Sequence, residues 1–489
     1  MSSPLAKSPS PATRSDQFTT LCMLLSLFVV GSSIPILLYT FSFSTVVAFP
    51  ILLTSLWLMH HCIRIFRIRN MTIPGLWYWS YVVMIFLPAF YVAAGKPDGS
   101  VKNSYLFGVS SVLLTAPLGV LAVSILLRLK PVEIKEYFAA AVKERPPSLH
   151  QVIAFSVFLL AAIALTTKYA IEVKNIPFFY LLGNVGAYDE VHILRATSFK
   201  LLSSRLTYVY SVLRQMGYPF LIMVALGSYL ITRRVIWLFL FLVTLCSGFL
   251  FAAFSVAKAP VAIIFLTLFL FLYLFFGGAF KAKQLVFSLI IIFAFPVGVI
   301  LLLQPEVGLR IAVKSTLIRL FDDPARQLYS YFEVVPEYLD YLCGSTISFV
   351  ARFRGETPFN LTNYVALHDN PSLIARGLTS ASANAAFVGD LHANFGVGGV
   401  LAGGFLAGFV MQGMQIYLLR QPKTISNLAI YSFVMYGFWF INLSALQTTL
   451  LSGGIVFVFM LALLIRIVEA ILNISPSDHS IAVDRKASA

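Results

Sequence analysis

Charge is scarce in this sequence. Charged side chains make up 11% of its 489 residues and hydrophobic ones 59%, with a mean hydropathy of +0.87. That shortage excludes a soluble globular protein, whose surface needs more charge to stay in water. Cysteine is sparse as well. Cys22, Cys62 and Cys246 fall in or beside apolar segments and Cys343 in a polar one, leaving no disulfide framework and no metal-ligand spacing. The P-loop, the dinucleotide fingerprint, His-Glu-x-x-His and Gly-x-Ser-x-Gly are all missing, so nothing here hydrolyses ATP by a recognisable motif. There is no internal repeat, no heptad array and no inverted pair of broken helices.

What is present is a series of long apolar runs. Segments such as 21–41, 235–255 and 284–303 are long enough to cross ~30 Å of hydrocarbon at ~1.5 Å per residue. Lipid offers the backbone no hydrogen bonds, so a spanning segment must be a helix or part of a closed barrel. Uninterrupted runs lack the alternation a barrel needs. Spans are expected at 21–41, 43–63, 74–94, 104–127, 150–167, 213–232, 235–255, 259–277, 284–303, 393–418, 426–446 and 450–467. The expected fold is an all-α, polytopic transmembrane bundle of about twelve helices. No small-residue cleavage site follows 21–41 before the next apolar run, which reads as a retained helix and not a removed signal peptide. Residues 1–20 are expected to be a disordered cytoplasmic head, 21–467 the transmembrane domain with its loops, and 468–489 a cytoplasmic tail.

Basic clusters recur on alternate short connections: Arg64, Arg67 and Arg69; Arg128, Lys130, Lys135, Lys143 and Arg145; Arg233 and Arg234; Lys281 and Lys283; Arg420 and Lys423. Short basic loops mark the cytoplasmic side, and both termini fall there too. The net charge of +15 then resides mainly on that face, which fits anionic inner-leaflet lipid and not nucleic acid. The opposite face receives two short links, 95–103 and the turn at Lys258, and two long loops, 168–212 and 304–392.

Those outer segments hold the polar chemistry. The first loop carries Tyr188-Asp189-Glu190-Val191-His192-Ile193-Leu194-Arg195, then Lys200, Arg205 and Arg214, at intervals that one amphipathic helix on the membrane surface would present together. Its bases serve either as contacts to lipid phosphates or, at Arg195 and Arg205, as bidentate ligands of a substrate phosphate. Lys258, in a tight hairpin between two apolar spans, is either a snorkelling loop lysine or a fixed cation beside a lipid-linked diphosphate.

The second loop opens with Arg310, Lys314 and Arg319, continues through Asp322-Asp323-Pro324-Ala325-Arg326, and then carries Tyr329, Tyr331, Glu333, Glu337, Asp340 and Tyr341. Alternating arginines, carboxylates and aromatics suit anionic groups on one side and sugar rings on the other, since aromatic faces stack on sugar C–H surfaces and carboxylates bind hydroxyls. Salt bridges folding a small cap would use the same residues. Finally, Phe387 to Val400 runs from the loop into a glycine-rich apolar helix. Asp390, His392 and Asn394 stand at its outer mouth, and glycines there allow another helix to pack closely. Asp390 reads equally as a helix N-cap and His392 as an interfacial residue.

At these residues the sequence resembles the Wzy-type oligosaccharide repeat-unit polymerases, the O-antigen and exopolysaccharide polymerase family. Four patches carry the resemblance: the Arg195 to Arg214 loop; Lys258-Ala259-Pro260; Tyr331-Phe332-Glu333-Val334-Val335-Pro336-Glu337 with Gly344; and Gly389-Asp390-Leu391-His392-Ala393-Asn394-Phe395-Gly396, the most specific of them. At His392 the family usually has an aromatic residue.

The resemblance implies a metal-independent membrane glycosyltransferase without cofactors, working on the periplasmic side of the bacterial inner membrane. Undecaprenyl diphosphate would anchor both substrates, and the growing glycan would pass to a sugar hydroxyl of the next lipid-linked repeat. Arg195, Arg205, Lys258, Arg319 and Arg326 would then stabilise the diphosphate leaving group. Glu333, Glu337 or Asp390 would be the base, while Tyr331, His392 and Asn394 would contact substrate. Membrane lipids, a chain-length regulator and a flippase are the further partners it implies. An O-antigen ligase has the same requirements but a different acceptor. A lipid or polysaccharide transporter would call for ionisable residues at mid-membrane, where this chain has few.

Overall fold

The computed structural model describes residues 45–63, 71–143, 149–173, 175–184, 188–200, 204–278, 294–375, 381–450 and 454–460. Among them every regular element is a helix and none is a strand. Along the chain these are α1 (Thr45–Ile63), α2 (Ile73–Ala94), α3 (Ser100–Leu126), α4 (Pro131–Ala139), α5 (Leu149–Glu172), α6 (Pro177–Gly183) and α7 (Tyr188–Lys200). Helix α8 begins with Ser204–Val212, continues through a π turn at Leu213–Gly217 and ends with Tyr218–Thr232. Then come α9 (Val235–Ala253), α10 (Lys258–Phe275), α11 (Ala294–Leu303), α12 (Gly308–Phe321), α13 (Asp323–Val334), α14 (Ser348–Phe353), α15 (Leu361–Asp369), α16 (Phe387–Leu419), α17 (Ile425–Phe440) and α18 (Leu446–Leu450).

Six of these, α2, α3, α5, α8, α9 and α16, are long and apolar enough to cross a membrane, and α11 with α12 forms a further pair bent by 111°. Shorter apolar helices occupy Pro50–Ile63, Ala259–Phe275 and Ile425–Phe440. The chain is thus a polytopic helical bundle. The described residues give six full spans, or seven with the bent pair, and do not establish twelve. The expected span 21–41, the head 1–20 and the tail 468–489 lie outside the described residues.

Helices α3 and α16 form the frame. A Cβ on Gly408 would sit 1.9 Å from the Ala116 carbonyl oxygen, and one on Gly119 2.1 Å from that of Phe405, so the two backbones touch. Further along, Gln412 Nε2 donates to Ser124 Oγ at 2.8 Å and Arg420 Nη2 to the Leu127 carbonyl at 2.8 Å. From Gly404 on Thr115, through Gln412 on Ser124, to Arg420 on Leu127 the pairings advance along both helices, which therefore run parallel. Gln415 Oε1 accepts from the Ile73 amide at 3.0 Å and from the Tyr431 hydroxyl at 2.8 Å, tying α2 and α17 to α16. Amides supply the interior hydrogen bonds here without the desolvation cost of charge.

The same contacts separate the two ends of the bundle. At one end Arg420 lies 3.7 Å from Glu133, Lys423 Nζ donates to the carbonyls of Phe138 and Ala140, and Ile425 packs against Gly227 near the end of α8. Arg128, Lys130, Arg233, Arg234, Arg420 and Lys423 therefore gather there, the grouping that the alternating basic connections lead one to expect. Arg64, Arg67, Arg69, Arg145, Lys281 and Lys283 lie outside the described residues.

The opposite end differs from the sequence reading in three places. Helix α5 runs on to Glu172, and α8 starts at Ser204, so the first outer loop is shorter than 168–212. The bases expected on one surface helix are shared between α7 and the start of α8, and Leu206, Val209 and Val212 carry the latter into the apolar run, where the π turn absorbs one extra residue at Arg214. Helix α16 begins at Phe387 with Ala386 as its N-cap, which places Asp390, His392 and Asn394 inside the helix and removes Asp390 from the capping role. It then breaks at Gly396, whose φ of +63° and ψ of −157° only glycine adopts without strain. Beyond the break, 397–419 measures about 35 Å, close to the thickness of the hydrocarbon core.

Candidate functional site

At the end of the bundle opposite the basic clusters, a cavity of about 310 Å³ opens between segments far apart in sequence. Arg195 and Val191 reach it from α7, Val256, Ala257 and Ala259 from the α9–α10 hairpin, Ile300, Leu303 and Gln304 from the end of α11, and Ser315 and Arg319 from α12. The 111° bend after Leu303 creates this arrangement, because it swings α12 across the end of the membrane helix that precedes it. Two guanidinium groups thus face a wall built largely of aliphatic side chains. The pairing suits an anion carried on an apolar tail.

The hairpin wall is held in an unusual conformation. Val256 has a φ of +53°, a region that costs a β-branched residue roughly 1–3 kcal/mol. Beside it, Arg214 Nη1 donates to Ser255 Oγ at 2.8 Å, and the charges of Arg214 and Arg195 are near enough to interact. Arg214 lies within the apolar helix α8, a placement that by itself marks a residue for function. Its signal in the sequence is that of a lone arginine in an apolar run, which an expected span of 213–232 places at the edge.

The remaining cation candidates divide. Lys258 is the first residue of α10, between two residues that line the cavity, and Arg205 falls in the first turn of α8. The side chains of both lie outside the described residues. Arg326 does not line the cavity and forms an ion pair with Asp322 one helical turn away.

The carboxylate candidates fall on α13 and α16. Glu333 Oε2 lies 3.6 Å from Lys96 Nζ, which also stands 4.6 Å above the ring of Tyr329. Burial raises the pKa of the Tyr329 phenol, and the negative charges of Glu333 and Glu337 raise it further, so both carboxylates sit close to that one aromatic. Glu337 is exposed and Glu333 half-buried. Lys96 was not singled out in the sequence; its position, one residue after the glycine that ends α2, was the available signal. Asp390 is half-buried, and its Oδ2 accepts from Gln447 Nε2 at 2.8 Å.

Tyr331, His392 and Asn394 have a different place from the one expected. The break at Gly396 frees the carbonyls of Ala393 and Asn394 from the helix, and these accept from the amides of Leu342 and Cys343, both at 2.9 Å. Asn394 Oδ1 accepts from the Gly344 amide, while its Nδ2 donates to Thr346 Oγ1 and to the Asp390 carbonyl, each at 2.8 Å. His392 Nε2 donates to the Val335 carbonyl at 3.1 Å, and its ring stacks on Phe332 at 3.9 Å. The Tyr331 hydroxyl donates to the Ala383 carbonyl at 2.8 Å, and burial pushes its pKa well up, so it acts as a neutral donor. All three side chains are buried. His392 and Asn394 clamp the 335–346 segment onto the outer end of α16, Tyr331 ties α13 to the stretch just before that helix, and none of the three lines the cavity. Asn394→Ala is expected to cost about 2 kcal/mol or more by leaving the Gly344 amide unpaired. Limited proteolysis checks this: cleavage should appear within 335–346 while the spanning helices stay protected.

Fold and site together define a multi-pass helical membrane protein with a cationic, apolar-walled cavity at one end of its bundle. No family model, curated protein or solved structure matches this chain.

Proposed function

We propose that this protein is a membrane glycosyltransferase that polymerises undecaprenyl-diphosphate-linked oligosaccharide repeat units. The growing glycan passes from its lipid carrier to a sugar hydroxyl of the next lipid-linked repeat, on the periplasmic side of the bacterial inner membrane, with both termini cytoplasmic. The observation that carries this reading is the convergence of Arg195 and Arg319 with the Val256–Ala259 hairpin around one cavity walled by Ile300 and Leu303. A lipid diphosphate needs that combination: fixed cations for the charge that grows as the glycosyl bond breaks, and apolar surface for the first units of the chain.

Bond formation also needs a base for the acceptor hydroxyl. Glu333 and Glu337 support that role by their exposure and their shared position at Tyr329 and Lys96. The basic residues gathered at the other end of the bundle support this sidedness.

The test is direct. Purified protein in lipid nanodiscs, given lipid-linked repeat unit, is expected to produce oligomers that differ by whole repeats on a gel or by mass. Vesicles across which the lipid-linked unit moves without lengthening would overturn the proposal in favour of transport. Transfer of the glycan only onto a lipopolysaccharide core would overturn it in favour of a ligase.

A further inference from the structure

Helix α12 has a surface that the cavity does not account for. Leu309, Val313 and Leu317 recur at every fourth position and are exposed to 64%, 40% and 42%. Beside them, at the same spacing, stand Arg310 and Lys314, both exposed. The face turned toward the protein buries Ala312 and Thr316, and the far flank carries Ser315 and Arg319 into the cavity. Around one helix there are therefore a packed face, a cavity face, and an outer face on which the two cations stand between the aliphatic stripe and the exposed Ile311 and Ile318.

Water is a poor neighbour for that stripe, and the deep interior of a bilayer is a poor one for the cations beside it. Three aliphatic side chains in a row favour lipid, while two bases one turn apart repel each other unless an anion lies between them. Among the described residues no ion pair joins Arg310 or Lys314 to an acid, and Glu306, one turn before Arg310, makes none. The helix also leaves α11 at 111°, so it runs across the direction of the span and not along it.

We infer that α12 lies in the headgroup layer of the bilayer, with Leu309, Val313 and Leu317 in the acyl boundary and Arg310 and Lys314 on the phosphates of anionic phospholipid. The lipid surface then supports the Ser315 and Arg319 wall of the cavity from outside and holds it at headgroup depth. Anionic phospholipid is in this sense a structural partner, distinct from anything the cavity itself binds.

The experiment does not depend on catalytic activity. Tryptophan is introduced as Leu317→Trp and, separately, as Leu309→Trp, and its emission is read as the difference from the unsubstituted protein in phosphatidylglycerol nanodiscs. Lipid brominated near the top of its acyl chains is expected to quench the added emission at both positions. Added emission that is red-shifted and unquenched would overturn the inference. So would added emission that is shielded only when a second protein is supplied. Arg310→Gln with Lys314→Gln is expected to lower the number of phosphatidylglycerol molecules retained in native mass spectra, while phosphatidylcholine retention stays the same. Equal retention of phosphatidylglycerol would overturn the headgroup assignment.

Discussion

Arg319→Ala is expected to abolish glycan extension by the purified protein while leaving its abundance and its elution in detergent unchanged. The side chain is exposed at the cavity wall on α12, so its removal opens no void in the packed core. What it removes is one of two guanidinium groups facing the position proposed for the diphosphate. A preorganised group that stabilises developing charge is worth about 10²- to 10³-fold in rate, roughly 3 to 4 kcal/mol. Arg195→Ala is expected to act in the same direction for the same reason. Arg319→Lys should recover only part of the rate, since an ammonium keeps the charge but loses the planar fork. Arg326→Ala should lose much less, because its guanidinium is paired with Asp322 and lies off the cavity. Unaltered ladder lengths in both Arg319→Ala and Arg195→Ala would rule out the phosphate assignment.

Gly408→Leu is expected to have an equally large effect of the opposite kind: loss of folded protein. Even the Cβ of the new residue would lie 1.9 Å from the Ala116 carbonyl oxygen and 2.9 Å from the Ala116 Cα, both backbone atoms that cannot rotate away. Helices α3 and α16 would have to separate along the seam that also holds Gly119, Gly404, Ser124 and Gln412. The cost should exceed the ~1–3 kcal/mol typical of an overpacked core, because no rotamer relieves it. Size-exclusion profiles in mild detergent should show the monodisperse peak lost to aggregate. Gly413→Ala on the same helix is the control: nothing stands within 4 Å of its Cβ position, and helix propensity favours alanine. A monodisperse Gly408→Leu protein with an unchanged melting temperature would refute this account of the seam. The two substitutions divide the molecule cleanly, since one removes chemistry with the fold intact and the other removes the fold.

Much of the architecture could be read along the chain. Apolar length and the alternation of basic connections are local properties, and lipid leaves the backbone almost no alternative to helix, so class and polarity followed from counting. Arg195 and Arg319 were readable as candidates because they stand in the polar outer segments, where arginines alternate with carboxylates and aromatics. Arg214 and Lys96 were harder. One lies where the polar residues before 213 blur the start of the apolar helix, and the other has no distinguishing neighbours until the fold brings Glu333 and Tyr329 to it.

The Gly389 to Gly396 patch shows where reading along the chain stops. Its composition, with an acid, a histidine and an amide near a helix end, is equally that of a binding site and of a clamp. The choice rests on Gly396: its break in the helix exposes two backbone carbonyls to the 342–343 amides, and Asn394 and His392 then bond the same segment. No pattern of side-chain types reveals a freed carbonyl.

By itself, then, the sequence determined that this protein is a bundle of membrane helices with its bases gathered at one end, because hydrophobic length and charge act residue by residue against a fixed solvent. Only the tertiary structure decided that Arg195, Arg319 and the Val256–Ala259 hairpin share one cavity while Tyr331, His392 and Asn394 are consumed in holding the cap. That decision depends on where a 111° bend and a broken helix aim groups that lie far apart in the chain, and such aim belongs to packing and not to composition.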